Sequence, residues 1–412
     1  MFLIKLALRN ITRHKRRTIL TAAMIALGIF LFLVIDSMMM GLEARGFQNI
    51  IDLQSGHMKV IDEGFEKEEG KIPLDQLINV DSQLISHIKD TPHFRAYSPR
   101  VKFNARLNNG LDELPIMGVG VNPDHEKETF TIGNYFVEGE MFEKGEYQAV
   151  LGKKLASLMG FKVGDYLTLV FKTQQDSFNT IDAKITGLIN SPHPELNESM
   201  VYIPLSIAQQ SLLIGDKVSE VVLRLEDKRY TDGGVTALKS SLTDKSRLTV
   251  ESWRDSAKSL IAMSEAQSVE NQTILGILLI IAAVGIINTV ILAALERIEE
   301  IGMMKALGME EKEIVQVFMY EATAIGILGG LIGIGVGAIG VALLHTYGLS
   351  LQAFGLGDMT FGLPVLGRFY GQWNIGAFVF VFSFGVIVSL IASIFPARWA
   401  AKKDPIKAIY HR

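Results

Sequence analysis

The chain has 412 residues, 49% of them hydrophobic, and its mean hydropathy is +0.27. This value is high for a soluble protein and low for one made only of membrane spans, so we expect some spans and one large polar part. The net charge of −4, without a basic patch interleaved with aromatic residues, argues against nucleic-acid binding. The absence of cysteine excludes disulfides, thiolate metal sites, a cysteine nucleophile and lipid attachment through cysteine.

The N-terminal segment is basic and amphipathic. Residues 1–17 contain six Lys or Arg and no acidic residue. A basic stripe runs beside apolar residues at helical spacing, which are Ile4, Ala7, Leu8 and Ile11. This pattern predicts a helix in the cytoplasmic membrane interface, the alternative being a simple positive flank of the next span.

The first span is predicted over residues 18–40. Thr18–Ile35 is uncharged, and no signal-peptide cleavage site follows it. The basic segment before it predicts that its first end lies in the cytoplasm.

Residues 41–270 contain no spanning run and are predicted to form an α+β domain outside the membrane, framed by helical stalks. The predicted strands are His57–Ile61, Arg100–Leu107, Tyr166–Phe171, Ile181–Ile189 and Val218–Leu225. The predicted helices are Asp75–Lys89, Lys153–Met159 and Leu205–Ile214. Trp253–Asn271 is polar but helix-compatible, and is predicted to continue unbroken into the second span.

Three further transmembrane helices are predicted, over residues 271–295, 314–345 and 373–395. The outer loop 346–372 has one basic residue, whereas the tail 396–412 has five basic residues and one acid. By the positive-inside rule both chain ends are cytoplasmic and the large domain is external. The fold class is therefore an α-helical membrane protein with four transmembrane helices and a large extracytoplasmic α+β domain between helices 1 and 2.

The third span is rich in glycine at four-residue spacing, which lets helix backbones approach closely. The helix-packing candidates are Gly326, Gly329, Gly330, Gly333 and Gly337. The spacing fits packing within one subunit and packing between two subunits equally well.

A charged, helix-prone segment, 296–313, separates the second span from the third. It carries a small apolar surface between its charges, at Met303, Met304, Ala306 and Leu307. A loop that needed only solvation would not carry this surface. We expect a docking helix for a soluble cytoplasmic partner, the alternative being a helix lying on the lipid surface.

This segment resembles the coupling-helix signature of FtsX-like ABC-transporter permeases, in Glu296-Arg297 and Glu300–Gly308. Similar motifs occur at both ends of the chain, at Leu6–Ile11, Phe395–Ala401 and Asp404–Ile406. The resemblance implies docking on a cytoplasmic ABC ATPase dimer through Glu299, Glu300, Ile301, Gly302, Met303, Met304, Lys305, Ala306, Leu307 and Gly308.

No nucleotide or metal chemistry is predicted for the chain itself. The phosphate-loop pattern G-x-x-x-x-G-K-[ST] and the zinc pattern H-E-x-x-H are both absent. We therefore expect a non-enzymatic membrane subunit that has no catalytic or metal residues and binds no cofactor. ATP and Mg would be used by the partner ATPase.

Within this family, the external domain resembles that of the lipoprotein-releasing LolC/LolE branch. The similar segments are Gly56–Val60, Gly118–Pro123, Gly152–Ala156 and Gly160–Asp165. The resemblance implies an inner-membrane permease that extracts lipoproteins from the outer leaflet and passes them to a periplasmic carrier. Other expected partners are membrane lipids and a second permease copy or a paralogue.

A lipid-linked substrate needs an apolar path, since exposing acyl chains to water costs about 0.8 kcal/mol per CH₂. The substrate-cavity candidates are Phe32, Ile35, Met38, Met39, Ile274, Leu275 and Leu278. Two alternatives remain, an efflux-type permease for peptides or amphiphiles and a transmembrane regulator of a cell-wall hydrolase.

Overall fold

The structure is a computed structural model that describes residues 2–13, 15–67, 72–242, 247–295, 298–350 and 368–402. The helices are α1 Phe2–Arg13, α2 Lys15–Ile50, α3 Glu63–Lys67, α4 Ser82–Lys89, α5 Pro123–Thr129, α6 Lys153–Met159, α7 Pro194–Glu198, α8 Leu205–Leu212, α9 Thr231–Ser241, α10 Trp253–Ser256, α11 Lys258–Leu295, α12 Ile298–Ala306, α13 Glu311–Tyr347 and α14 Ile375–Ala401. The strands are β1 Met58–Asp62, β2 Ile78–Asn79, β3 Phe94–Asn108, β4 Glu113–Val121, β5 Phe136–Gly139, β6 Gln148–Gly152, β7 Tyr166–Lys172, β8 Phe178–Ile189, β9 Met200–Pro204, β10 Lys217–Val218, β11 Glu220–Leu225, β12 Leu248–Ser252, β13 Leu349–Ser350 and β14 Arg368–Phe369.

The chain forms two compact units, one within residues 1–44, 265–350 and 368–412 and one within 45–264. In the described residues, four helices of the first unit are long and apolar enough to cross a membrane: α2, α11, α13 and α14. Helix α2 continues ten residues past the predicted end of the first span at 40, to Ile50, and α11 begins at Lys258, before the predicted start at 271.

The glycines of α13 lie on two faces that pack against other helices of the same chain. Gly329, Gly333 and Gly337 face α2, where a Cβ added at Gly333 would lie 2.8 Å from the Ile29 Cβ. Gly326 and Gly330 face α14, where a Cβ added at Gly330 would lie 2.7 Å from the ring of Phe382. Glycine is needed at these positions because the helices approach too closely for a side chain.

A leucine at Gly333 should therefore destabilise the helical unit. The added side chain would collide with Ile29 and the Ala26 backbone, and such overpacking costs about 1–3 kcal/mol. The matched control is Gly335→Leu in the same helix, because an added Cβ at Gly335 meets no atom within 4 Å. We expect thermal unfolding in detergent to show a lower melting temperature for Gly333→Leu only. Equal melting temperatures for the two variants would contradict the packing role.

The second unit is built on a closed ring of strands. Strands β3, β4, β9, β6, β8 and β7 are hydrogen-bonded in that order, and β7 pairs again with β3. The β4–β9 and β6–β8 pairs are parallel and the other ring pairs are antiparallel. Alternate side chains of β3, namely Val101, Phe103, Ala105 and Leu107, are buried in the main core.

Strands β11, β1 and β12 extend the sheet from β3, and β5 extends it from β8. The end of α2 contributes to a small apolar cluster of this unit. There Ile50 and Ile51 pack with Trp253 of α10 and with Ala257, and the helix finishes in a π-helical turn over Ile51–Ser55. A Cβ at the next residue, Gly56, would approach the backbone of Leu223, and its φ of 60° suits glycine.

Three of the predicted elements of the external unit differ in the structure. The predicted strand Val218–Leu225 is divided into β10 and β11, which pair with different strands. The predicted helix Asp75–Lys89 begins only at Ser82, because Asp81 caps it by accepting a hydrogen bond from the Leu84 amide at 2.7 Å. The preceding β2 pairs with β10 instead. The predicted continuous helix from Trp253 is interrupted at Ala257, between α10 and α11.

Candidate functional site

The predicted coupling segment contains one short helix, α12, whose inner face packs into the helical unit. Ile301 is almost fully buried in a cluster with Ile314 of α13 and Ala397 of α14. Met304 and Met309 pack on the same cluster. A displacement of α12 therefore pushes on the neighbouring ends of α13 and α14, because close-packed groups are not compressible.

Helix α12 is shorter than the predicted coupling helix 296–313. It ends at Ala306, and Gly308 follows with a φ of 93°, a left-handed conformation that favours glycine. The Met309 amide donates to the Met304 carbonyl at 3.1 Å, which closes the helix end. A capping box between Glu310 and Glu313 then starts α13, so the last residues of the segment belong to the third span. Residues 296–297 lie outside the described residues.

Lys305 points inward, toward the end of another helix. Its ammonium donates to the carbonyl of Ala401, the last residue of α14, at 2.5 Å. It also lies 3.4 Å from a carboxylate oxygen of Glu311, at the start of α13. A cation at a helix C-terminus is favourable because it meets unpaired carbonyls and the negative end of the helix dipole. Lys305 thus fixes α12 to α13 and α14 and is largely unavailable to a partner.

The outer face of α12 is apolar and exposed. Leu307 is 87% exposed and Met303 is 53% exposed, with Ala306 and Gly308 also exposed beside them. We use the name exposed face of α12 for the surface formed by Met303, Ala306 and the residue after the helix, Leu307. Gly302 is buried, Glu300 is half-buried and takes part in a polar interaction, and the Glu299 side chain lies outside the described part of the structure.

Six of the ten predicted coupling residues therefore fall into two groups. Ile301, Met304 and Lys305 hold the helix, whereas Met303, Ala306 and Leu307 are exposed. Two alanines of α14, Ala397 and Ala401, lie in the cluster that holds Ile301 of α12, and both belong to the Phe395–Ala401 motif. Their four-residue spacing is the one local sign that they share a helix face.

The seven substrate-cavity candidates lie in different environments of the helical unit. Phe32 is buried in the main cluster of the spans, and Leu275 and Leu278 pack on that cluster. Ile35, Met38 and Met39 are half-buried, and Ile274 is exposed. Phe32 therefore serves the packing of the spans, while the others retain accessible apolar surface.

In the external unit, the sheet beside the end of α2 holds a group of buried charges. Arg100 forms an ion pair with Glu126, donates to the Gln54 carbonyl at 3.0 Å and lies 3.6 Å from the Phe130 ring centroid. The Ser98 hydroxyl also donates to Glu126, at 2.8 Å. Because Gln54 belongs to the π-helical turn after α2, Arg100 connects that turn to the sheet.

A second part of this group surrounds Glu220, which accepts from Lys102 at 2.9 Å and lies 4.0 Å from Lys59. Burial alone raises the pKa of Glu220, but Lys102 and Lys59 outweigh burial and hold the pKa below its usual value. Lys59 also pairs with Glu251 at 3.1 Å, and Arg224 pairs with Asp52 at 2.6 Å. Buried charges of this kind are stable only while every member keeps its partner.

The described residues contain no group of three or more His, Cys, Asp or Glu side chains arranged to hold a metal ion. Long apolar helices, a folded domain between the first and second of them and a loop helix with an exposed apolar face are the features of a membrane transport subunit.

Comparison with known proteins gives the family. Residues 18–240, more than half of the chain, match the MacB-like periplasmic core domain, and residues 273–405 match the FtsX-like permease C-terminal domain. The chain belongs to this family and is an ABC-transporter permease of the MacB/FtsX type. It is a multi-pass inner-membrane protein with a large periplasmic α+β domain.

Two relatives illustrate the match. The macrolide export ATP-binding/permease protein MacB of Psychrobacter arcticus is 25% identical over 98% of this chain, which spans only 59% of that relative's length. An uncharacterized ABC transporter permease of Methanocaldococcus jannaschii is 24% identical over 99% of this chain and 97% of its own. Among solved structures, the periplasmic region of MacB from Actinobacillus actinomycetemcomitans is 13% identical, with a TM-score of 0.36 over 53% of this chain and 98% of that one.

Proposed function

We propose that this chain is the membrane subunit of an ATP-driven exporter for amphiphilic molecules, with hydrolysis in a separate ABC ATPase docked on the exposed face of α12. The observation behind this proposal is the exposed face. Leu307 and Met303 present apolar surface there, and α12 itself is fixed to α13 and α14. An ATPase that pulls on this face moves two spans at once. The name of the Psychrobacter relative, a macrolide exporter, supports efflux as the direction of transport.

The energy source must lie outside this sequence, since it contains no phosphate-loop motif. ATP and Mg would bind to the ATPase and not to this chain. A separate ATPase subunit is supported by the Methanocaldococcus relative, a permease that this chain covers almost completely. A second copy of the chain, or a paralogue, would complete the permease, and a periplasmic partner would receive the substrate.

The comparisons do not support the prediction that the cargo is a lipoprotein. The matched families and the named relatives point to MacB-type permeases. The glycines that suggested it have local explanations. A Cβ at Gly152 would lie 2.2 Å from the Asn197 carbonyl oxygen, and Gly160 and Gly164 have φ of 74° and 100°. Gly120 lies against Ala208. Because backbone geometry accounts for these glycines, they do not favour lipoprotein cargo over other cargo.

Depletion of the chain from its native cells distinguishes the two substrates. We expect increased sensitivity to amphiphilic toxins, with outer-membrane lipoproteins unchanged in separated membrane fractions. A plasmid copy should restore resistance, and a copy with Leu307→Asp should not. Lipoproteins retained in the inner membrane, with unchanged toxin sensitivity, would replace the efflux proposal with lipoprotein release. No change in either property would contradict both.

A further inference from the structure

An acidic residue, Asp36, lies in α2 one helical turn beyond Phe32, at the end of the uncharged run of the first span. Its carboxylate accepts a hydrogen bond from the Asn374 side-chain amide at 2.9 Å. Asn374 is also the residue that begins α14, since its side-chain oxygen accepts from the Ala377 amide at 3.2 Å. An ionisable residue in a span is costly and is by default a sign of function.

Among the described residues, no basic side chain forms an ion pair with Asp36, and Asn374 is the side chain that bonds to it. Asp36 is half-buried, so part of the residue stays accessible. A charge that is partly removed from water and not neutralised gains most from a cationic ligand.

The segment that carries Asn374 is fixed to α2. The Gln372 amide donates to the Ser37 carbonyl at 3.1 Å, and a Cβ at Gly41 would lie 2.2 Å from the Tyr370 carbonyl oxygen. His345 of α13 bonds to the Gly371 carbonyl at 2.8 Å. Asp36 and the start of α14 are thus held together before any ligand binds, which lowers the entropic cost of binding.

Two accessible aromatic rings lie in α14 and just before it, beside the buried Phe32 of α2. The ring centroids of Phe32 and Phe380 are 6.0 Å apart, and Phe380 is 54% exposed. Trp373 precedes Asn374, is 46% exposed and stacks on Phe378 at 5.9 Å. Aromatic faces attract cations and also accept apolar groups.

We propose that Asp36, Phe380 and Trp373 form a recognition site for the cationic end of an amphiphile at the outer surface of the membrane. The cation would pair with the Asp36 carboxylate, and the apolar body would lie against Phe380. This arrangement of charge and apolar surface matches an amphiphile in the outer leaflet. The charge of such a molecule stays at the interface, while its apolar part lies in the hydrocarbon. The inference rests on the proposed efflux function and specifies its substrate class as lipophilic cations.

The purely structural alternative is that Asp36 only orients Asn374 at the start of α14. Asp36→Asn separates the two roles, because an asparagine oxygen still accepts from the Asn374 amide while the negative charge is lost. Phe380→Leu is a second variant, which removes an aromatic ring from an accessible position and keeps an apolar side chain there. Asp112→Asn is the matched control, with the same charge change in the turn between β3 and β4.

Binding is measured by equilibrium titration of the purified full chain in detergent with tetraphenylphosphonium, a lipophilic cation, and with tetraphenylborate, an anion of the same shape. We expect the wild type to prefer the cation. Asp36→Asn should weaken cation binding by about tenfold or more, and Phe380→Leu should weaken it several-fold. Asp112→Asn should bind as the wild type does.

The inference is overturned if the wild type does not prefer the cation, or if Asp36→Asn and Asp112→Asn bind the cation equally well. If Asp36→Asn binds the cation and the anion equally weakly, Asp36 has a structural role, and the inference is also overturned. The assay needs neither ATP nor the ATPase, so it tests the binding site independently of the proposed export function. Cation binding through Asp36 without ATP-dependent transport would contradict only the proposed function. Normal cation export by Asp36→Asn would contradict only the site.

Discussion

Replacement of Leu307 by aspartate is expected to abolish ATP-driven transport while leaving the permease folded in the membrane. Leu307 is 87% exposed and follows the last residue of α12, so the new charge meets water and disturbs no packing in the free chain. In a complex with the ATPase the same charge would be buried in an apolar contact. Central apolar contacts of this kind are worth about 2 kcal/mol or more, roughly a 30-fold loss of affinity.

The measurement is co-purification of the ATPase with tagged permease, followed by substrate-stimulated hydrolysis. Leu111→Asp is the matched control, because Leu111 is an equally exposed leucine in the β3–β4 turn of the external unit. Met304→Asp is a poorer test, since Met304 packs on the inner cluster and its replacement would also damage folding. Normal ATPase association in Leu307→Asp would remove the docking role and favour the alternative of a helix on the lipid surface.

The inner and outer faces of α12 could not be assigned from the sequence. The segment has apolar residues on both sides, and period alone does not distinguish a face that packs on its own chain from one that binds a partner. Lys305 was expected at the ATPase, and it donates to the carbonyl of Ala401, almost a hundred residues later in the chain. Only the tertiary structure brings these two residues together.

The fold was predictable where local signals decide the element. Helix α6 has the predicted bounds, Lys153–Met159, because Gly152 and Gly160 punctuate it at both ends. Elements that depend on distant partners were harder to predict from the sequence. Strand β2 exists because it pairs with β10, and the ring closes because β7 pairs with both β3 and β8. Neither pairing has a signature within its own segment.

The glycine faces of α13 illustrate the same limit. Four-residue spacing predicted close helix contacts, but the sequence left open whether the partner was the same chain. The structure places α2 on one face and α14 on the other. Asp36 was likewise visible only as the end of an apolar run, and its bond to Asn374 depends on the packing of α2 beside α14.

Replacement of Arg100 by methionine should strongly destabilise the external unit. Arg100 and Glu126 are both buried, and the substitution leaves the Glu126 carboxylate without its cation. Breaking a buried pair in this way costs about 3–5 kcal/mol. It also removes the hydrogen bond to the Gln54 carbonyl, so the turn after α2 loses one of its attachments to the sheet.

Tryptophan fluorescence during thermal unfolding of the full chain measures this effect. The chain has three tryptophans, and with Trp373→Phe and Trp399→Phe in place only Trp253 of the external unit reports. Arg106→Met is the matched control, because Arg106 and Glu113 form an exposed pair at 3.4 Å, and exposed pairs contribute about 0–1 kcal/mol. The double variant Arg100→Met, Glu126→Leu should recover much of the lost stability, since no charge is then buried alone. If Arg100→Met and Arg106→Met unfold at the same temperature, Arg100 does not hold the end of α2 to the sheet.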